Sequence, residues 1–146
     1  MNIFQRFVSE SQAVLKTANK RSTKVLSQFG AFTRRTAKGL IRKAKKPSAP
    51  GRPPHGHGQQ LLKKFLFFAI DPRGPSVIIG PARLNGTLGD APHALEYGGR
   101  TEVNAGTRRR PKFKTVTIAA RPYIGPAADR ELKNLPSMWA QSGKTK

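Results

Sequence analysis

Residues 61–80, LLKKFLFFAIDPRGPSVIIG, decide the fold. Residues 61–70 are the most strand-like run in the chain. Phe65 and Phe67 fall on one face, and Leu66, Phe68 and Ile70 on the other. Side chains alternate across a strand, so a run that is apolar on both faces asks for cover on two sides. Asp71-Pro72-Arg73-Gly74 then suits a type I turn, with Asp in the first place, Pro in the second and Gly in the fourth. Residues 76–80, SVIIG, are a second β-branched run, and the whole segment is predicted to be a β-hairpin.

Upstream, residues 45–60, KKPSAPGRPPHGHGQQ, read as a linker, because Pro and Gly disfavour helix and sheet alike. Its His55 and His57 lack a third ligand nearby and read as surface residues, so no metal site is expected. Residues 3–44 read as helix. Apolar or small residues recur at Phe4, Phe7, Ser11, Val14, Ala18, Ser22, Val25, Phe29, Phe32, Thr36 and Leu40, always three or four apart. Lys16, Lys20, Lys24, Arg34, Arg35, Lys38, Arg42 and Lys43 lie mostly off that stripe. Forty residues of helix extend roughly 60 Å, whereas a domain of this size is roughly 40 Å across. The helix therefore either breaks near Gly30 or packs its stripe on another subunit, and the second is the preferred expectation.

Downstream, residues 81–92 read as a loop, and HALEYGG (93–99) as a short apolar stretch ending in two glycines. NAGTRRRP (104–111) is a basic loop, and KFKTVTIAA (112–120) a third strand. Pro126 suits a first helical turn and opens a C-terminal helix. Ala128, Leu132, Leu135 and Trp139 would give its apolar face, and Pro136 should kink or split it. The expected class is α+β: a long N-terminal helix, a small antiparallel sheet of three to four strands, and a C-terminal helix. The expected divisions are a helical arm (1–46), a Pro/Gly linker (47–60), a core domain (61–142) and a flexible tail (143–146).

The chain has 146 residues, 28 Lys and Arg against 7 Asp and Glu, no Cys, and a net charge of +21. Residues 1–54 hold 13 of those bases and a single acid, Glu10. Such a charge points to an acidic partner or to nucleic acid. The acid-poor N-terminal third also has some character of a transit peptide, a minor alternative. Leu, Ile, Val and Phe make up about 22% of residues, enough for a small core. The absence of Cys excludes disulfides, thiolate metal ligands and Cys nucleophiles. The longest wholly apolar run, residues 65–70, is far too short to span a bilayer, so no membrane role is expected.

No GxSxG, Walker A, GxGxxG or HExxH pattern occurs, and no catalytic residue or cofactor is expected. Glu96, Tyr97 and His93 form the one cluster with proton-transfer chemistry; an ion pair and a loop His explain it more simply. Arg108, Arg109 and Arg110, together with Arg34, Arg35, Arg42 and Lys43, are candidate contacts to phosphates or to an acidic partner. The Phe residues sit in the strand or on the helix stripe rather than amid the Arg run, which argues against base stacking. A basic protein that binds nucleic acid without sequence specificity, ribosomal or chromatin-like, is the alternative reading.

Four segments in order carry a resemblance: GRPPHGHGQQLLKKFLFFAID (51–71), SVIIGP (76–81), HALEYGG (93–99) and ARPYIGPAADREL (120–132). This order resembles the minor tail-component, or tail-completion, proteins of tailed bacteriophages and prophages. The matching positions are Gly51, Pro53, Pro54 and residues 61–65; Ile79, Gly80 and Pro81; Glu96, Tyr97 and Gly98; and Arg121, Pro122, Tyr123, Pro126 and Ala127. The resemblance implies a non-enzymatic virion protein of the neck or upper tail, made in the host bacterial cytoplasm. It also implies a homo-oligomeric ring that joins tail to DNA-filled head beside other neck and tail proteins, with backbone contact to packaged DNA as a further expectation. Tyr97 with Gly98 and Gly99, and Pro122 with Tyr123, are expected as rigid turn elements that set packing or an interface. Glu96 is expected to pair with a basic residue across such an interface.

Overall fold

A computed structural model describes residues 3–56, 61–82, 91–107 and 109–143. The class is α+β, with a long N-terminal helix, small antiparallel ladders and a helical C-terminus. Helix α1 runs Ile3–Leu40 without interruption. At 38 residues it is about 57 Å long. It does not break at Gly30, which is buried and marks the closest approach of α1 to the hairpin. A Cβ there would lie 2.6 Å from Phe68 Cδ2 and 2.8 Å from Val77 Cγ2.

The hairpin forms as expected, but starts later. Strands β3 (Leu66–Ile70) and β4 (Val77–Pro81) pair antiparallel, with Phe68 opposite Ile79 and Ile70 opposite Val77. At the turn, the Gly74 N–H reaches the Asp71 carbonyl at 3.5 Å, and Asp71 Oδ1 accepts the Arg73 N–H at 2.9 Å. The Arg73 N–H, and then the Arg73 guanidinium, whose Nε donates to the same oxygen at 3.2 Å, hold the Asp71 carboxyl below its usual range. Residues 61–64, expected as strand, instead form a single helical turn, α2 (Leu61–Lys64). The β3–β4 ladder is only five pairs long, and without strand partners Leu and Lys follow their helical preference.

One face of the hairpin packs on α1, while Phe67 (46% exposed) and Ile78 (57%) project from the other. Among the described residues the second cover demanded by the sequence is therefore missing. The strands also do not merge into one sheet of three or four. They form a two-residue parallel pair, β1 (Arg42–Lys43) with β2 (His55–Gly56), the β3–β4 hairpin, and an antiparallel pair β5 (Gly99–Asn104) with β6 (Phe113–Ile118). At β3, Arg34 occupies an edge position: its Nε donates to the Leu66 carbonyl at 2.8 Å and its guanidinium lies over the Phe67 ring. A charged side chain at a strand edge discourages further pairing.

HALEYGG is helical over most of its length, as α3 (Ala91–Tyr97). Pro92 fits a first turn, and Gly98, at φ +79°, ends the helix with its N–H on the Ala94 carbonyl at 2.8 Å. Pro136 splits the C-terminus as expected, into α4 (Gly125–Leu132) and α5 (Leu135–Ser142). The split resets the helical phase. Trp139 is consequently 43% exposed while Met138 is buried instead; within α4, Ala127 is buried and Leu132 is 49% exposed. The core joins Ala37 and Ile41 to Leu66, Tyr123 and Ala127, with Leu40, Leu62 and Ile124 around them.

The Pro/Gly segment is a docked strap rather than a free linker. Ser48, Pro54 and Gly56 are buried, and the Gly51 N–H donates to the Ala120 carbonyl at 2.8 Å. Residues 57–60, including His57, lie outside the described residues, as does most of the expected loop at 81–92 and most of the expected tail.

Candidate functional site

Two of the segments that carry the resemblance, far apart in sequence, close on each other. Helix α4 begins Gly125-Pro126 and has neither a side-chain cap nor an acid in its first turn. A helix start leaves N–H groups without partners and carries partial positive charge. Glu96, from the end of α3, supplies what is missing. Its Oε2 accepts the N–H of Tyr123 at 2.9 Å and of Ile124 at 3.1 Å, and its Oε1 accepts that of Gly125 at 2.7 Å. Pro126 has no N–H to satisfy. Glu96 is buried and is committed to backbone donors within its own chain, not to a basic residue across an interface.

Arg121 ties the same junction to the strap. Its N–H donates to the Leu95 carbonyl at 2.6 Å, its Nε to the Ser48 carbonyl at 2.9 Å, and its Nη1 to the Ala119 carbonyl at 3.2 Å. Gly98 allows close approach here, since its Cβ would sit 3.2 Å from the Ala120 nitrogen. Gly99 has φ +128°. Of the eight motif residues, Glu96, Gly98, Arg121, Tyr123 and Pro126 therefore build one knot, with Pro122 half-buried within it. Tyr97 stands outside, 73% exposed, with its ring 4.8 Å from that of His93.

Tyr123 is fully buried beneath the knot, and its hydroxyl has no hydrogen-bond partner among the described residues. Burial, and then the Glu96 carboxylate, push its pKa well above the usual phenol range. An unpartnered buried hydroxyl costs more than its removal. Tyr123→Phe is accordingly expected to stabilise the fold by about 1 kcal/mol. Thermal unfolding checks this, and a lowered melting temperature would show a partner for the hydroxyl.

The basic candidates come from three elements. Arg34 is engaged with β3, and Arg35 lies over Phe32 at 5.9 Å on the exposed side of α1. Lys38 shares its surroundings with Arg34 and Lys63; desolvation, then those two charges, lower its pKa. Arg42 and Lys43 are exposed on β1, not on the helix. Arg109 and Arg110 are exposed in the β5–β6 loop, which Asn104 braces by accepting the Gly106 and Lys112 N–H groups. Arg108 lies outside the described residues.

A shallow groove of about 300 Å³ lies between strap, α2 and α3, with Pro54, His55, Leu62 and Leu95 in its wall. His55 Nδ1 donates to the Lys46 carbonyl at 2.9 Å, and no group of three metal-ligating side chains occurs among the described residues. No described helix is long and apolar enough to cross a membrane. The capping role of Glu96 escaped the sequence reading. Its one signal was a Gly-Pro helix start without Ser, Thr, Asp or Asn before it.

Compared with known protein families, curated proteins and solved structures, the chain shows no match.

Proposed function

We propose that this chain is a structural, non-enzymatic protein of a tailed-phage head–tail junction, acting as one subunit of a neck or tail-completion ring. The sequence resemblance suggests the class. The observation that carries the reading is the arm: Glu10 through Arg21 are all exposed on a helix that continues unbroken into the core. A rigid helix that overhangs its own domain is suited to contact a neighbour. Repeated head-to-tail contacts of that kind close into a ring. The knot at Glu96 and Arg121 would act as a rigid frame, holding α3, the strap and α4 in fixed relation while the arm engages. Electron microscopy of the purified chain, alone and mixed with portal-type and adaptor-type proteins of a tailed phage, tests this. Rings are expected; a chain that stays monomeric in both preparations overturns the reading.

One observation favours a second reading, attachment to nucleic-acid backbone. Arg109, Arg110, Lys112 and Lys114 are all exposed at one end of the β5–β6 pair. Binding through these residues would weaken with salt by a log–log slope of about −0.9 per phosphate neutralised. Affinity for DNA that is indifferent to salt would remove this reading.

A further inference from the structure

The β3–β4 hairpin has one apolar face covered and one bare. Cross-strand partners share a face, so the register places Phe67, Ala69, Ile78 and Gly80 together on the side away from α1. Phe67, Ala69 and Ile78 are exposed there. The same chain carries a second bare apolar surface, on the arm, where Val14 is 67% exposed and Leu15 62%, with Ala18 one turn further on. Neither surface can cover the other within one molecule. Gly30 of α1 is already locked against Phe68 and Val77 on the opposite face, and the helix runs on without a hinge. Val14 therefore sits about 24 Å further along the same rigid axis.

We infer that the arm of one copy covers the bare hairpin face of a neighbouring copy, an inference that rests on the ring reading above. Charge selects the occupant. In a chain of net +21, residues 66–81 hold only Asp71 and Arg73, a net of zero, and the one base from α1 that reaches this face is Arg34, over the Phe67 ring. The arm, with Lys16, Lys20, Arg21 and Lys24, meets less repulsion on this face, where Arg34 is the one described base from outside the hairpin, than on the basic surfaces of β1 and the β5–β6 loop. Area sets the conditions. One face of the arm from Glu10 to Arg21, about 18 Å by about 10 Å, covers roughly 180 Å². That is well short of the roughly 800 Å² per partner of a free-standing complex. In a ring each copy gives one arm and receives another, so the contact is weak between two copies and strongest in the closed assembly. Residual repulsion between basic copies is screened by salt, so this contact strengthens with ionic strength, opposite to binding of nucleic acid.

The chain has no Cys, so Val14→Cys and Ile78→Cys each introduce a unique thiol at an exposed site that leaves the core intact. The two variants are mixed in equal amounts under conditions that assemble the wild type and treated with a short bis-maleimide. A cross-linked dimer is expected in the mixture, and a ladder of multimers from the double variant. A mixture of Val14→Cys with Arg109→Cys serves as control. Product no more abundant than in that control overturns the inference. If rings are nevertheless visible, the arm contact alone is wrong and the ring reading stands. A cross-linked dimer without rings upholds the arm contact and counts against the ring.

Discussion

Glu96→Ala is expected to lower stability by about 3–4 kcal/mol, a drop of about 10 °C in melting temperature for a chain of this size. The carboxylate accepts three backbone N–H groups at 2.7–3.1 Å. Hydrogen bonds to a charged acceptor are each worth about 1.5–3 kcal/mol, and donors left unpaired in a buried place cost more than the bond was worth. The three bonds share two oxygens and do not add, which keeps the total below their sum. The loss also removes the only cap that α4 has among the described residues, since nothing in its own first turn replaces it. Glu96→Gln keeps the shape but turns an NH2 toward a backbone donor, and is expected to fall between wild type and Glu96→Ala. Thermal unfolding of the pair checks the assignment. Equal, small shifts in both would show that the α4 start is satisfied from elsewhere.

Gly30→Val is expected to destabilise by about 1–3 kcal/mol, although valine is the better helix former. The new Cβ would sit 2.6 Å from Phe68 Cδ2 and 2.8 Å from Val77 Cγ2, far inside normal carbon–carbon contact. Relief requires α1 and the hairpin to separate, or Phe68 to leave its rotamer. Gly39 is the matched control. It lies in the same helix and a Cβ there meets nothing within 4 Å. Gly39→Ala is therefore expected to stabilise by about 0.5–1 kcal/mol. Opposite signs for the two glycines in chemical denaturation establish Gly30 as a packing contact; equal gains would restore it to a mere weak point in the helix.

What was legible in the sequence was local. The Asp71–Gly74 turn, the β-branched run after it, the Pro126 helix start and the Pro136 break each depend on a few adjacent residues, and each stands where the chain chemistry put it. Tertiary contacts overrode the rest. Gly30 looks like a breaker until the hairpin is seen against it. The strap looks like a linker until Gly51, Ser48 and Arg121 are seen joined. Trp139 belonged to an apolar stripe only if Pro136 left the helical phase unchanged. At the site, Glu96, Arg121, Tyr123 and Pro126 were grouped only as turn or interface elements through the resemblance, and Glu96 was assigned a charged partner. A carboxylate held by three backbone N–H groups has no sequence spacing to betray it.

The apolar demand on both faces of residues 61–70 proved informative in a different way. One cover is α1; the other is not supplied by the described residues. With the exposed arm, it leaves a molecule whose unpartnered surfaces are apolar as well as basic, and this is why an assembly role is preferred to a purely nucleic-acid one.

The most direct test of that role is electron microscopy of phage particles assembled with and without this chain. The account predicts filled heads and free tails that fail to join when the chain is absent, with attachment restored when it is supplied. Tails firmly attached to filled heads in its absence would contradict it.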